Sequence, residues 1–321
     1  MGDVILSTHI PKLLKSKYPD SQIDFLTFSS LSELFKYNPY VNNIIIFDKF
    51  KDKLFDFKNK ILKNYGKYDI IFDLHKNFRS YFISFGLAGK IRRIKKNRLK
   101  KILLVKFKIN LYRKIKLIPD LYKDVIQSNE NSALEIWLEK DRLNSKYLPE
   151  SNQINKIKTI AIAPGAKHFT KRWIPQYFSK LMNILKNHYN CRIILIGGSE
   201  DFDLCNQIIS ESEIEAENFA GKTNILQTAE LLDKCELLIT NDSGVMHIGA
   251  ARQIPIVAIF GSTVKEFGFT PYNCNSIIIE KDLSCRPCTH IGTSNCKKGH
   301  FNCMKLITPE EVFEIISDKY N

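Results

Sequence analysis

The fold is decided by the stretch Thr240-Asn241-Asp242-Ser243-Gly244-Val245-Met246-His247-Ile248-Gly249-Ala250-Ala251. A mostly apolar run, Cys235 to Ile239, precedes it, and a second, Ile254 to Phe260, follows. The order reads strand, tight turn, helix, strand. An Asp-Ser-Gly turn that opens a helix leaves several backbone N–H groups without partners, all pointing at one spot. Such a terminus carries partial positive charge and suits a phosphate. Gly244, Gly249 and Ala250 are small enough to let backbone and ligand come close. The segment therefore reads as a diphosphate cradle. It also reads as an ordinary βα turn in which Asp242 or Ser243 caps the helix.

The same alternation extends outward in both directions. In the second half, Thr159 to Ala163 and Arg192 to Ile196 read as strands. Pro175 to Lys186, Phe202 to Ser210 and Ile225 to Leu232 read as helices, and Thr308 to Tyr320 as a last helix. In the first half, Gln22 to Phe28, Ile44 to Phe47 and Tyr68 to Leu74 read as strands. Gly2 to Lys17 is a turn and an amphipathic helix, and Leu31 to Tyr37, Phe55 to Lys63 and Asn131 to Asp141 are helical. The polar stretch from Asn144 to Lys156, with Pro149, is the expected linker. Strands alternating with helical crossovers argue for α/β architecture: two doubly wound parallel domains, residues 1–148 and 149–321, facing a cleft. The last helix is left free to pack back on the first domain.

The chain has 321 residues, 44% hydrophobic and 26% charged, which suits a folded two-domain protein. No apolar run approaches the roughly 20 residues of a membrane span, and no signal-peptide pattern opens the chain, so the expected location is the cytoplasm. The net charge of +14 is local: residues 90–116 hold thirteen Lys or Arg and no Asp or Glu. Apolar residues interleave these charges, as in Ile102-Leu103-Leu104-Val105, so the segment reads as amphipathic and suits an anionic surface. A basic helix face, or a nucleic-acid contact, is the alternative. All eight cysteines lie in the second half, and four cluster as Cys285-x2-Cys288-x7-Cys296-x6-Cys303. That spacing allows a structural zinc site or a Cys-rich loop without metal.

One feature is anomalous. The chain passes from Met1-Gly2-Asp3 directly into helix, with no strand to feed the turn. Either the architecture is unusual or the sequence opens at an internal Met, and the late start is the preferred reading.

Four segments together resemble glycosyltransferase family 9, the ADP-heptose:lipopolysaccharide heptosyltransferases. They are Gly2-Asp3-Val4-Ile5-Leu6-Ser7-Thr8, Tyr68 to Leu74, Pro164-Gly165-Ala166 with Lys171-Arg172-Trp173, and Asn241 to His247. The region around Cys285 to Cys303 is similar to the heptosyltransferase II branch. The resemblance implies a GT-B fold of two Rossmann-like domains, with the first strand of the N-terminal domain missing here. It implies inverting transfer of heptose from ADP-heptose to the lipopolysaccharide inner core, with no cofactor required at the reaction centre. The implied partners are ADP-heptose, a lipid A-core acceptor and the anionic inner face of the cytoplasmic membrane, without nucleic acid. The same fold also serves other nucleotide sugars and acceptors.

By this resemblance Asp3 is the base for the acceptor hydroxyl; its structural alternative is a helix cap. Lys171, Thr170, Asp242, the backbone of Ser243, Gly244 and Val245, and His247 form the donor site. Asp242 either touches the sugar or organises its loop, and His247 either reaches the phosphates or packs under the turn. Ala166, Lys167 and His168 stand where the family loop carries more Thr or Ser. Arg79, with Arg92 and Arg93, is expected to meet the acidic acceptor, and His75 replaces a more usual Gln. Lys222 and Glu230 are weak candidates to read base or ribose, and Trp173 is expected to pack the loop.

Overall fold

The strands of the first half come in two separate pairs. This is seen in a computed structural model that describes residues 1–144 and 157–320. The chain opens with a four-residue helix α1 (Gly2–Ile5) and, after a tight turn, α2 (Ile10–Lys17). Strand β1 (Asp24–Phe28) then leads through a 3-10 turn at Ser29–Phe35 to β2 (Asn43–Phe47), which pairs with it in parallel. Helix α3 (Leu54–Tyr65) precedes β3 (Tyr68–Asp73). Helix α4 (Phe78–Ser84) is opened by a capping box between Asn77 and Ser80, and β4 (Ala88–Arg93) pairs in parallel with β3. Among the described residues β1–β2 and β3–β4 are distinct sheets.

The segment from Lys90 to Lys116 is not one amphipathic helix. Its first residues complete β4, and helix α5 (Arg98–Ile102) widens into a π turn at Leu103–Phe107. That turn stops at Lys108, whose φ of 59° is left-handed. Helix α6 (Ile118–Ile126) follows and packs on α2. The helix expected from Asn131 to Asp141 is also absent: only α7 (Glu139–Leu143) forms. Leu134, Glu135, Ile136, Trp137 and Leu138 are all buried, so this run has no polar face to offer solvent. Glu135 is satisfied inside by Lys12 Nζ at 2.6 Å and the Trp137 indole N–H at 3.0 Å. The expected linker lies outside the described residues, apart from Asn144, which ends α7.

The second half follows its pattern closely. Helices α8 (Pro175–Tyr189), α9 (Phe202–Ser210), α10 (Ile225–Leu232) and α11 (Gly244–Ala251) flank a six-stranded parallel sheet. Its strands are β5 (Thr159–Ala163), β6 (Arg192–Leu195), β7 (Glu217–Asn218), β8 (Leu237–Asn241), β9 (Ile256–Phe260) and β10 (Ser276–Glu280). They lie in the order β10-β9-β8-β5-β6-β7. Every residue of β8 and β9 is buried, which is why these strands read as unbroken apolar runs. The order reverses beside β5, so the ends of β5 and β8 open on a topological switch point where ligands bind. A short helix α12 (Asn302–Lys305) leads to α13 (Pro309–Tyr320). The last helix packs on α8 within the second half, with Val312 and Ile316 in that half's core.

Helix α11 is anchored at its far end by Arg252, a fully buried guanidinium. Its Nε and Nη2 hold both carboxylate oxygens of Asp233 at 2.7 Å, and Nη1 reaches Asp141 at 2.6 Å and the Ile136 carbonyl at 2.8 Å. Lys140 adds a second cation on Asp233 at 2.7 Å. The cluster ties α11 to the end of α10 and to the buried run before α7. Removing one partner from a buried, hydrogen-bonded ion cluster strands the others, at a cost of about 3–5 kcal/mol. Arg252→Met is expected to lose stability on that scale. Arg252→Lys recovers little, because an ammonium cannot hold Asp233 with two parallel bonds. Chemical denaturation of the three proteins side by side checks both.

Candidate active site

Strand β8 ends at Asn241, Asp242 follows it, and α11 begins at Gly244. Ser243 takes the N-cap with extended backbone, φ −141° and ψ 175°, but its side chain makes no capping bond. The N–H groups of the first turn of α11 are thus not closed off by their own cap. Asp242 is buried and already paired: Lys171 Nζ lies 2.6 Å from its Oδ2, and the Thr263 hydroxyl donates to the same oxygen at 2.7 Å. Asp242 thus holds Lys171 and Thr263 together at the end of β8. His247 lies beneath, fully inside. Burial, with Lys171 adding to it, lowers its pKa to about 4 despite the opposing carboxylates of Asp242 and Asp3. It sits under the turn with a buried Nδ1 that has no hydrogen-bond partner.

Three loops converge on this end of the sheet, and side chains lock them together. Asn241 is buried between two of them, accepting from the Trp173 N–H at 3.0 Å and donating to the Pro164 carbonyl at 2.7 Å. Thr170 is also buried, and its hydroxyl is engaged by the Ser262 hydroxyl and the Thr293 N–H, both at 2.9 Å. Thr170 thus fastens the loops of Ser262 and Thr293 to its own. Arg286 Nε binds the Gly261 carbonyl at 2.5 Å, and Nη2 binds the Thr263 carbonyl at 2.8 Å and Glu280 at 2.7 Å. Arg286 so fixes the residue that holds Asp242. Trp173 packs as expected, edge-on to Phe178, with its indole N–H on the Ile307 carbonyl at 3.0 Å.

The first half meets this cradle through α1. A Cβ on Gly2 would stand 3.3 Å from the His247 ring, and one on Gly244 would fall on the Met1 methyl group. The two helix beginnings therefore touch. Asp3 is exposed in the same opening, and its backbone carbonyl accepts from the Tyr122 hydroxyl at 3.4 Å. His75, Lys96 and Lys101 all lie within the field of its carboxylate. His75 nonetheless has its pKa lowered, chiefly by burial.

The matching family model is glycosyltransferase family 9 (heptosyltransferase), over residues 59–298. Lipooligosaccharide heptosyltransferase 2 of Campylobacter jejuni is 30% identical, over 98% of this chain and 93% of its own. The chain belongs to glycosyltransferase family 9. Among solved structures, a family 9 glycosyl transferase from Veillonella parvula superposes with a TM-score of 0.77 at 24% identity, over 99% of this chain and 94% of that one. The Escherichia coli ADP-heptose lps heptosyltransferase II gives 0.72 at 19%, over 99% and 95%. The fold is GT-B, as the sequence implied, and the protein is a glycosyltransferase.

In this family 9 enzyme the remaining expected residues are sorted by their contacts. Arg93 is committed to structure: Nε faces Asp73 at 3.3 Å, Nη2 donates to Ser84 at 2.9 Å, and the guanidinium lies over Tyr81. Asp73 in turn accepts the N–H groups of His75 and Lys76 and the Ser80 hydroxyl, setting the loop after β3. Arg79 is exposed with its guanidinium 5.2 Å from the Phe28 ring, and Arg92 keeps a buried Nη1 without a partner. Arg93 Nε, though it faces Asp73, likewise makes no hydrogen bond. Lys222 and Glu230 are exposed; Lys222 stacks over Phe202.

The four clustered cysteines are free thiols that lie in one another's fields. Among the described residues, however, no three metal-ligating side chains are disposed around a common point. Their loop has a visible structural task. The Cys288 N–H binds the Ser262 carbonyl at 3.1 Å, and Lys108 from the basic segment binds the carbonyls of Cys285 and Pro287 at 2.9 and 2.6 Å. It braces the cradle from outside and receives the first half.

Asn241, Thr263 and Arg286 were the roles missed from sequence. Each acts on a residue distant in the chain, and only the Asn-Asp pair after an apolar run offered a signal. His9 and His247 both have pKa values lowered to about 4, mainly by burial. Each is neutral in the fold and titrates near 6.5 when unfolded. Stability is therefore full above pH 6.5, falls as the unfolded state gains protons below it, and levels off below about pH 4. The loss is at most about 3 kcal/mol per histidine. Urea denaturation between pH 7 and 4.5 is expected to show a shallower slope for His247→Gln than for the wild type.

Proposed function

We propose that this glycosyltransferase moves L-glycero-D-manno-heptose from ADP-heptose to the inner core of a lipid A-anchored saccharide, inverting the anomeric carbon, with no metal at the reaction centre. The observation that carries the reading is the contact of α1 with α11. It puts the Asp3 carboxylate and an open helix N-terminus in one opening between the two halves. The family, and the heptosyltransferase 2 name of its relative, support the sugar.

Asp3 takes the proton of the acceptor hydroxyl as that oxygen attacks the anomeric carbon. Attack comes from the face opposite the diphosphate, and the bond from that carbon to the β-phosphate oxygen breaks. ADP departs with the negative charge. Lys171, aimed by Asp242, and the N–H groups of Ser243, Gly244 and Val245 receive it. Arg79 and Arg92 supply free cationic donors for an acidic acceptor. A nucleic-acid-binding role accounts for the basic segment but not for this paired constellation.

The basic segment is the surface toward the membrane. Leu99 is 69% exposed and Phe107 63%, among the lysines and arginines of residues 90–116. No helix among the described residues is long and apolar enough to cross a membrane. Apolar side chains amid cations fit the boundary of an anionic leaflet. Each engaged cation contributes roughly 1 kcal/mol.

Asp3→Asn is expected to lower kcat by about 10²–10⁴-fold with ADP affinity unchanged, read by transfer from ADP-heptose to a heptose-acceptor lipid A core and by calorimetry with ADP. Lys171→Met is expected to lower both kcat and ADP affinity. ADP binding with no heptose transfer, under any acceptor, places the error in the sugar. Flotation with vesicles tests the surface. The protein should rise with anionic and not zwitterionic vesicles, salt should release it, and Lys100→Glu with Lys101→Glu should weaken it.

A further inference from the structure

Helix α4 turns its rings toward solvent. Phe78, Tyr81, Phe82 and Phe85, the last just past its end, recur at i, i+3, i+4 and i+7 and share one face. Phe78 is 78% exposed and Phe85 74%, and Tyr81 is exposed as well, whereas the opposite face buries Ile83 and Ser84. Helix α3 packs beside α4 and continues this surface. Its Phe55, Lys58 and Leu62 stand at i, i+3 and i+7 on the outer side, with Phe55 and Leu62 exposed, while Phe57 and Ile61 take the inner side. Cations lie over three of the rings. Lys58 Nζ is 5.5 Å from the Phe82 ring centre and 5.3 Å from that of Phe85, and the Arg93 guanidinium is 4.2 Å from that of Tyr81.

A contiguous exposed apolar surface marks a contact, and the charge around this one selects the partner. Residues 74–119 hold fifteen Lys or Arg and no Asp or Glu: the thirteen of residues 90–116, with Lys76 and Arg79. A second copy of a chain with net charge +14 would bring the same cations to the same patch and be repelled. An anionic bilayer meets both demands at once, with hydrocarbon for the rings and headgroups for the cations. We infer that α4, with the outer side of α3, enters the interface of an anionic leaflet and lies in its plane. The rings of Phe78, Phe82 and Phe85 pass below the headgroups. Lys58 and Arg93 run their stems along the rings and keep their charges at headgroup level. The stripe is about 10 Å long, two turns of helix. Insertion rests on the membrane surface proposed above and deepens it: the basic segment draws the protein to the leaflet, and α4 penetrates. It also sets the orientation. Helix α4 leaves the end of β3 through the loop of His75 and Lys76, and His75 lies in the field of Asp3. The opening that holds Asp3 therefore sits beside the leaflet, where a lipid-anchored hydroxyl reaches it without leaving the bilayer.

Tryptophans placed in the stripe report insertion. Phe78→Trp and Phe85→Trp each add one exposed indole to a chain whose own Trp137 and Trp173 are buried. The probe is vesicles of phosphatidylglycerol and phosphatidylcholine with brominated acyl chains. Both new indoles are expected to shift their emission to the blue and to be quenched by the bromine. Lys180→Trp, at an exposed position of α8 in the second half, is expected to do neither. Phe78→Ser with Phe85→Ser is expected to weaken partition into the same vesicles without bromine by about tenfold for each ring removed. Its melting temperature stays that of the wild type, because both rings are exposed. Flotation with both new indoles unquenched leaves the basic segment as the sole attachment and overturns insertion, while the membrane surface itself stands. Equal partition of the double serine variant also overturns it. Sedimentation without lipid is the last arm: a wild type that dimerises where the double serine variant stays monomeric puts a second copy on the stripe, and the proposal falls. None of these readouts uses sugar transfer, so they succeed or fail independently of the heptose reading.

Discussion

The structure turns on a guanidinium with no access to water. Arg252 ends α11, the helix whose other end follows the Asp242–Lys171 pair, and it is held by two carboxylates and a carbonyl from two parts of the chain. A buried charge permits few alternatives. An apolar residue there could slide or rotate at little cost, whereas Arg252 has one position in which Asp141 and Asp233 are both satisfied. The helix axis is thereby set, and with it the direction of the N–H groups at Gly244 and Val245. Asp141 precedes the linker, so the same cluster fastens the last residues of the first half to the cradle helix.

At the opposite end of α11 the design is a division of one cation. Lys171 is pinned to Asp242 at 2.6 Å, and Thr263 shares the same carboxylate oxygen. A lysine without this partner would sample many rotamers, and an arriving diphosphate would have to order it. Paired, it is already aimed, and part of its charge is neutralised until a stronger anion enters. In the proposed reaction the hydroxyl of Thr263 keeps Asp242 partly satisfied when Lys171 turns to the phosphate. His247 beneath stays neutral, so it adds no charge to this balance. The loop locks of Asn241, Thr170 and Arg286 keep the geometry fixed while charge develops, which is what makes preorganised dipoles effective.

The second half was legible because burial on both faces writes itself into composition. The runs at Thr159, Leu237 and Ile256 admit little but parallel strands, and the turn after Thr240 marks the site. The first half was less so. The run from Leu134 to Leu138 has a helix former's composition, but the tertiary environment buries all five residues and no helix forms before Glu139. Lys90 to Lys116 looked uniform because charge dominates its composition, and charge is silent about whether the backbone is β4, α5 or irregular. Site residues in the turn motifs were readable by chemistry. Thr263 and Arg286 were not, because their partners are set by the segments after β8, β9 and β10 meeting in space.

Asp3 and the cradle differ in how they are held. The cradle stands on a six-stranded sheet and a buried ion cluster. Asp3 stands on four residues of helix whose support is contact: Gly2 on His247, Met1 on Gly244 and the hydroxyl of Tyr122 on the Asp3 carbonyl. As the proposed base, Asp3 needs a fixed position, since a misplacement of 1 Å costs about a hundredfold in rate, and these contacts with the second half and with Tyr122 are what fix it.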